Sequence, residues 1–389
     1  MIKKDIVEEF LENIYKRLIR HRRWLHQHPE LAMQEKETTG YIVGHLKKAG
    51  IPFRQMNESG VIADLFVDKS YPTIAIRAEI DAVPIQEETG LSYSSKYKNV
   101  MHACGHDANA AVLLTLAEVL SGKKEKLTTN VRFIFEPAEE TGEGANYMIL
   151  HGALEDPKPE EILIFHFANQ ESRAMEIQQS ISTAKIGGLI VRANGRAAHF
   201  FQYEEGIDAM YAMAKFVTAV HEINKSFCTE HPFILGFGTM QAGTGGNIIA
   251  ETAEMKGSLR TFTEEDFQAV YGEFIRKAAE IERKTGVKFE IELTKEIPPI
   301  INDRQMVLRG CEAGRYVFGD CFKLGTEPFL VGDNAAYYMN QVPGMRVVFL
   351  AKKDSGDVYP MHNSRFDFDE RVMMDALRFL ITFLFTQSK

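Results

Sequence analysis

The sequence predicts an α/β protein of two domains, a mostly parallel sheet flanked by helices with a small ferredoxin-like domain inserted into it. Three observations predict this. Compact runs of β-branched and aromatic residues alternate with helical periodicity in the first part of the chain. The middle of the chain changes to a βαββαβ order. A chain of 389 residues also exceeds what one hydrophobic core ordinarily serves.

Residues 5–20 place Val7, Phe10, Leu11, Ile14 and Leu18 at the spacing of one helix face. Thr73–Ala78, Val131–Phe135 and Ile162–Phe165 are short, mostly apolar runs rich in β-branched or aromatic residues, as strands covered on both faces are. Residues 108–121 read as an Ala/Leu-rich helix closed by Gly122. Strands alternating with helices imply a parallel sheet.

A strand at 185–193 opens the second rhythm, followed by a helix at 206–223 and strands at 233–241 and 253–262. Thr263 suits a helix N-cap, and residues 264–284 then present Phe267, Val270, Phe274, Ala278 and Ile281 on one face. A strand at 287–294 completes the series. Pro298-Pro299 marks the return to a strand over Arg346–Leu350 and a helix at 369–385. The larger domain therefore spans 1–183 and 297–389, and the insertion 184–296.

The formal net charge of −9 predicts no nucleic-acid partner, since phosphate binding needs an excess of cations. Lys16, Arg17, Arg20, Arg22 and Arg23 read as an exposed helix face. No apolar run approaches the roughly 20 residues of a membrane span, so no membrane partner is predicted. Met1–Asp5 is followed by acidic residues rather than an apolar signal core. The four cysteines, Cys104, Cys228, Cys311 and Cys321, are sparse, which suits a reducing cytoplasm.

His102, Cys104 and His106 stand at alternate positions and share one side if the segment is extended. Imidazole and thiolate are donors that a borderline-soft cation such as zinc prefers, although a buried structural cysteine beside ordinary histidines reads the same way. Glu139 and Glu140 follow a predicted buried strand, where α/β proteins place ligand sites. Adjacent glutamates suit a division between metal binding and proton transfer; a solvated acidic loop is the plainer alternative. His166 ends a strand and His362 lies in a loop before the last helix. Each is unremarkable singly. Their combination is not.

These segments join Arg22–Leu31, Arg77–Ile85, Asn194–His199, Gly246–Ile249, Gly257–Phe262 and Met361-His362. In this order, nearly end to end, the chain resembles the aminoacylase and hippurate hydrolase group of dinuclear metallopeptidases. That group also contains plant indole-acetyl-amino-acid hydrolases and bacterial N-acetyl-diaminopimelate deacetylases. The resemblance implies a phosphorylase/hydrolase-like catalytic domain carrying an inserted dimerisation domain. It implies two divalent cations, zinc or manganese, bridged by Cys104, with His106 and His166 completing one site and Glu140 and His362 the other. Glu139 becomes the general base and Asp81 the carboxylate that orients a metal-site group. His199 and Asn247 reach the substrate carbonyl or its oxyanion, His199 crossing to the second subunit of a homodimer. Arg260 holds a substrate carboxylate. The implied reaction is hydrolysis of N-acyl amino acids, with a dipeptidase or carboxypeptidase as the neighbouring alternative. A catalytically silent dimeric binding protein is the alternative of another class.

Three departures from the group's pattern bear on the substrate pocket. Asn109 stands where the group usually has His, and Glu79 where it has Asp. Val331-Gly332-Asp333-Asn334 replaces the usual Ser-Glu-Asp-Phe. The segment Ala198–Tyr203 is also bulkier than the small-residue loop common there.

Overall fold

The computed structural model describes residues 4–386. The chain opens with helices α1 (Lys4–Leu11), α2 (Tyr15–Gln27) and α3 (Lys36–Lys48). The single helix expected over 5–20 is thus broken, at Asn13, whose φ of 60° is left-handed. Val7, Phe10, Leu11 and Leu18 are buried as the periodicity requires.

Strands β1 (Phe53–Gln55), β2 (Val61–Leu65) and β3 (Thr73–Glu79) lead to α4 (His106–Ser121), β4 (Asn130–Glu136), α5 (Gly144–Leu150), β5 (Glu161–Ala168) and β6 (Ala174–Gln178). The insertion follows as β7 (Lys185–Asn194), α6 (Ala209–Ser226), β8 (Ile234–Ala242), β9 (Thr252–Thr261), α7 (Glu264–Thr285) and β10 (Lys288–Ile297). The chain closes with α8 (Arg304–Phe318), β11 (Phe322–Gly325), α9 (Ala336–Met339), β12 (Gly344–Leu350) and α10 (Val372–Leu384).

The main sheet has the order β1-β2-β4-β3-β5-β12-β6-β11. Its centre is parallel: β3 pairs with β4 and β5, and β5 with β12. Every residue of β3, β4 and β12 is buried, which is why these runs carry no polar alternation. The carboxyl ends of β3, β4 and β5 therefore lie along one edge of the sheet, where ligands of α/β proteins bind. Helix α4, buried along nearly its whole length, packs against this sheet and against α2 and α10.

Contacts divide the chain into two compact units. One runs up to Ser182 and adds Ile301–Glu327 and the chain from Asn334; the other is Thr183–Ile300 with Pro328–Asp333. The sequence assigns 328–333 to the larger domain, yet Ala184 N–H donates to the Val331 carbonyl at 2.9 Å, tying that segment to the insertion. The second unit's sheet is antiparallel in the order β10-β7-β9-β8, the ferredoxin-like arrangement. β7 alternates buried and half-buried residues, and its inner face meets α6 and α7 through Leu189, Val191, Phe216, Phe267 and Phe274. Thr263 caps α7 by accepting from Asp266 N–H at 3.1 Å, and Asp208 caps α6, which starts three residues later than its periodicity suggests.

One expectation fails in the first unit. Arg22 is not on the exposed face of α2 but 1% exposed, its guanidinium ion-paired with Asp107, Asp367 and Glu370. Three carboxylates balance one buried cation, as a buried charge requires. Among the described residues no helix is long and apolar enough to cross a membrane.

Candidate metal centre

Cys104 sits in a turn rather than in an extended run. The turn begins after Met101, which exchanges both backbone hydrogen bonds with Val83, and ends at Gly105, whose φ of 85° calls for glycine. α4 then starts at His106, two residues earlier than expected. The alternating geometry of His102, Cys104 and His106 is therefore not realised. Among the described residues His102 is buried with neither ring nitrogen hydrogen-bonded, and it is absent from the donor clusters below.

The remaining donors converge. Ligand atoms of Cys104, His106 and His166 lie within 4.8 Å of one another, as do those of Cys104, Glu140 and His362, and those of His106, Glu139 and Glu140. Cys104 Sγ is common to the first two groups and stands 3.7 Å from His166 Nε2. His362 Nε2 stands 3.2 Å from Glu140 Oε1. His362 takes a left-handed φ of 64° and is anchored by its own N–H on the Ala103 carbonyl at 2.8 Å.

His106 and His166 are each oriented through the far nitrogen. His106 Nδ1 lies 3.1 Å from Asp81 Oδ1 and 3.0 Å from the Asp81 carbonyl, and His166 Nδ1 donates to the Phe167 carbonyl at 2.7 Å. Both rings thus present Nε2 to the cluster. Asp81 does two jobs, because its Oδ2 accepts the Glu140 N–H at 2.9 Å.

The electrostatics match. Burial alone would raise the Cys104 thiol, but His106 and His166 beside it bring the group down to about 6. Burial would likewise raise Glu140, yet His362 and His106 draw it to about 2. His362 is raised to about 10 by its contacts with Cys104 and Glu140. Thiolate and carboxylate are both held ionised at neutral pH, so the cluster calls for positive charge, and protons and cations compete for the same atoms.

These residues fit two divalent cations sharing Cys104. Among the described residues His106 Nε2 is buried with no hydrogen-bond partner, which a free imidazole nitrogen seldom is. The set of sulfur, nitrogen and carboxylate oxygen is one that borderline cations accept. A second cluster, His21, His45 and Glu118, fits less well. Glu118 there already faces Arg17 at 3.2 Å and both histidines, a balanced contact joining α2, α3 and α4.

In the second unit, a bridge between His199 and Ile248 sets His199 beside Asn247, both exposed. His199 Nδ1 accepts the Phe201 N–H at 3.1 Å, which leaves Nε2 as its protonated nitrogen. Arg260 is not with them. It pairs with Ile186 near the far end of β9 and donates to the Leu330 carbonyl at 3.0 Å. The eight residue steps from Thr252 to Arg260 span about 26 Å of strand, more than one small substrate reaches.

Two features escape the sequence. The departures from the group's pattern meet in one buried network: Arg77 holds Glu79, both oxygens of Glu136 and the Asn334 side chain, and Asn109 donates to Glu79. Glu35, fully buried at the start of α3, accepts the Ala138 N–H at 2.9 Å. A lone glutamate before a helix carries no sequence signal of either kind.

Residues 75–386 match the peptidase family M20/M25/M40. The N-acetyl-L-cysteine deacetylase of Bacillus subtilis is 32% identical over 372 residues, covering 95% of this chain and 88% of that one. An uncharacterised hydrolase of Staphylococcus epidermidis is 32% identical over 92% of this chain and 95% of its own. Among solved structures, a dinuclear metal-binding peptidase of the M20 family from Bacillus subtilis is 30% identical with a TM-score of 0.79, over 95% of this chain and 97% of that one. Taken with the converging donors, these likenesses lead to one conclusion: the chain belongs to the M20/M25/M40 peptidase family and is a metal-dependent hydrolase.

Proposed function

We propose that the protein hydrolyses the amide bond of N-acyl amino acids, releasing a carboxylate and a free amino acid. The observation that carries this reading is the convergence of Cys104, His106, His166, Glu140 and His362 with Glu139 beside them. The name of the Bacillus subtilis deacetylase supports an N-acyl amino acid as the substrate class. When bound by the five ligands, two zinc or manganese ions supply Lewis acidity toward a carbonyl and toward water.

The protein's own groups then divide the proton work. Glu139 takes a proton from the attacking water and passes it to the leaving nitrogen as the C–N bond breaks. Asp81 keeps the His106 ring in place and, through the Glu140 N–H, the turn that carries both glutamates. Arg260 holds the substrate carboxylate. His199 of the partner subunit, with Asn247, faces the developing oxyanion through Nε2–H.

Action in trans is supported by the length of β9, since Arg260 pairs near one end of it and the His199–Ile248 bridge lies beyond the other. A homodimer through the second unit is supported by the edge strand β8 and by Met210, Tyr211 and Val217, exposed on α6. Four free cysteines suit a cytoplasmic setting.

The test is a panel of N-acetyl and N-benzoyl amino acids and dipeptides, run beside elemental analysis of the protein. Cleavage of the N-acyl compounds with two cations per subunit is expected. Cleavage of dipeptides alone would assign the site to a dipeptidase, and no cleavage by protein carrying both cations would refute the proposal.

A further inference from the structure

The turn from β4 to α5 carries both Glu139 and Glu140, and its shape is imposed from outside. Ala138 has φ of 54°, a left-handed value that alanine rarely holds unaided. The Gly144 N–H and the Glu143 N–H both donate to the Ala138 carbonyl, at 3.0 and 3.2 Å. Pro137 is enclosed on two sides: a Cβ at Gly60 would stand 2.9 Å from its ring, and one at Gly144 would stand 1.8 Å from its carbonyl oxygen. Neither glycine could carry a side chain without displacing the turn. What remains is the pair of amides that bracket Glu139, and each donates to a buried carboxyl group. The Glu140 N–H goes to Asp81 and the Ala138 N–H to Glu35.

Glu35 is the less expected of the two. Its side chain is wholly buried, and its own N–H donates to Ser59 Oγ at 3.1 Å. Its Oε2 has no hydrogen-bond partner among the described residues. A carboxyl group enclosed with the Ala138 N–H, its own backbone N–H and Ser59 as its few polar neighbours is costly to keep, so a simple packing role accounts for it poorly. Burial pushes this group up to about 7. Its neutral form accepts a hydrogen bond as an amide carbonyl does, which makes glutamine a faithful substitute.

We propose that Glu35 is a positioning residue for Glu139, holding Ala138 in its left-handed conformation so that the next two carboxylates face the donor cluster. The proposal rests on the reading of Glu139 as general base, but one arm of its test does not.

Hydrogen exchange read by mass spectrometry on the peptide spanning residues 136–144 requires no substrate. Glu35→Met keeps the volume and loses the acceptor; Glu35→Ser, too short to reach, serves if the first does not fold. Either should speed exchange of this peptide at least about tenfold while the α4 peptide stays unchanged, and Glu35→Gln should restore protection. On a cleaved substrate, kcat should fall at least about tenfold with KM within about threefold and metal content intact, and Glu35→Gln should recover most of it. Unchanged exchange in Glu35→Met or Glu35→Ser overturns the proposal, as does a Glu35→Gln variant as impaired as they are. If exchange responds but no N-acyl amino acid is cleaved by any form, the positioning stands and the functional reading fails.

Discussion

Asn109 Nδ2 donates to Glu79 Oε2 at 2.8 Å, both side chains buried against Arg77. The group's usual pair at these positions is a short acid and a long ring; here a longer acid meets a shorter amide, and the combined reach is kept. The two departures are expected to compensate each other. Glu79→Asp or Asn109→His alone should each destabilise the fold by about 1–3 kcal/mol, the cost of stranding a buried polar group. The double variant should lose clearly less than the sum. Urea unfolding of the four proteins measures this, and strictly additive losses would show the two positions to be independent.

Glu139→Gln should bind two cations as the parent does and lose at least about 100-fold in turnover. Glu140→Gln should instead lose metal, because a neutral amide is a poorer ligand for a divalent cation. Elemental analysis and rate on one cleavable N-acyl amino acid read both effects. Interchangeable behaviour would remove the division of roles.

His26 gives a pH signature. Burial by itself would lower its pKa, but Asp107 and Glu87 on its two nitrogens raise it to about 9. The folded value lies above the ordinary 6.5, so the stability it contributes is complete below pH 6.5 and lost as pH rises through 9. The loss is at most about 3 kcal/mol. Urea midpoints should fall between pH 6.5 and 9, and His26→Gln should shrink that fall. An equal fall in the variant would assign the slope to other groups.

Met240 is exposed on the edge strand β8. Met240→Lys should weaken the dimer in light scattering, as an edge lysine opposes strand pairing. On the proposed action of His199 across a dimer, turnover should fall with it while metal content holds. A wild-type monomer with full turnover would end that reading.

The strands β3, β4 and β12 and the helix α7 were legible because burial on two faces, or on one stripe, leaves a pattern in residue type. The candidate donors of the cluster were legible for another reason: sulfur, imidazole and carboxylate are chemically distinctive wherever they stand. What stayed hidden depends on contacts between distant segments. Arg22 reads as a surface cation until Asp107, Asp367 and Glu370 surround it. His102 reads as a ligand until Gly105 turns the chain. The short strands β1 and β11 carry too few residues to show a period, and Glu35 acquires meaning only beside Ala138.

The second unit enters and leaves the chain at nearly one point. Ile181 bridges Ile301, Asn302 N–H donates to the Ser180 carbonyl at 2.9 Å, and a few residues further on Ile186 pairs with Ile297. Outgoing and returning chains are thus zipped into a two-stranded stem. More than a hundred residues lie beyond that stem, yet the ends they leave behind are only about 5 Å apart, the spacing of paired strands. Cutting at the stem and closing it with a tight turn would cost almost no loop entropy, because a shorter closure is the easier one. The excised module would keep neighbouring termini on β7 and β10, suited to splicing into another host loop. Pro328–Asp333 is a seam left open by that surgery, and a graft that omits it exposes the Ala184 N–H.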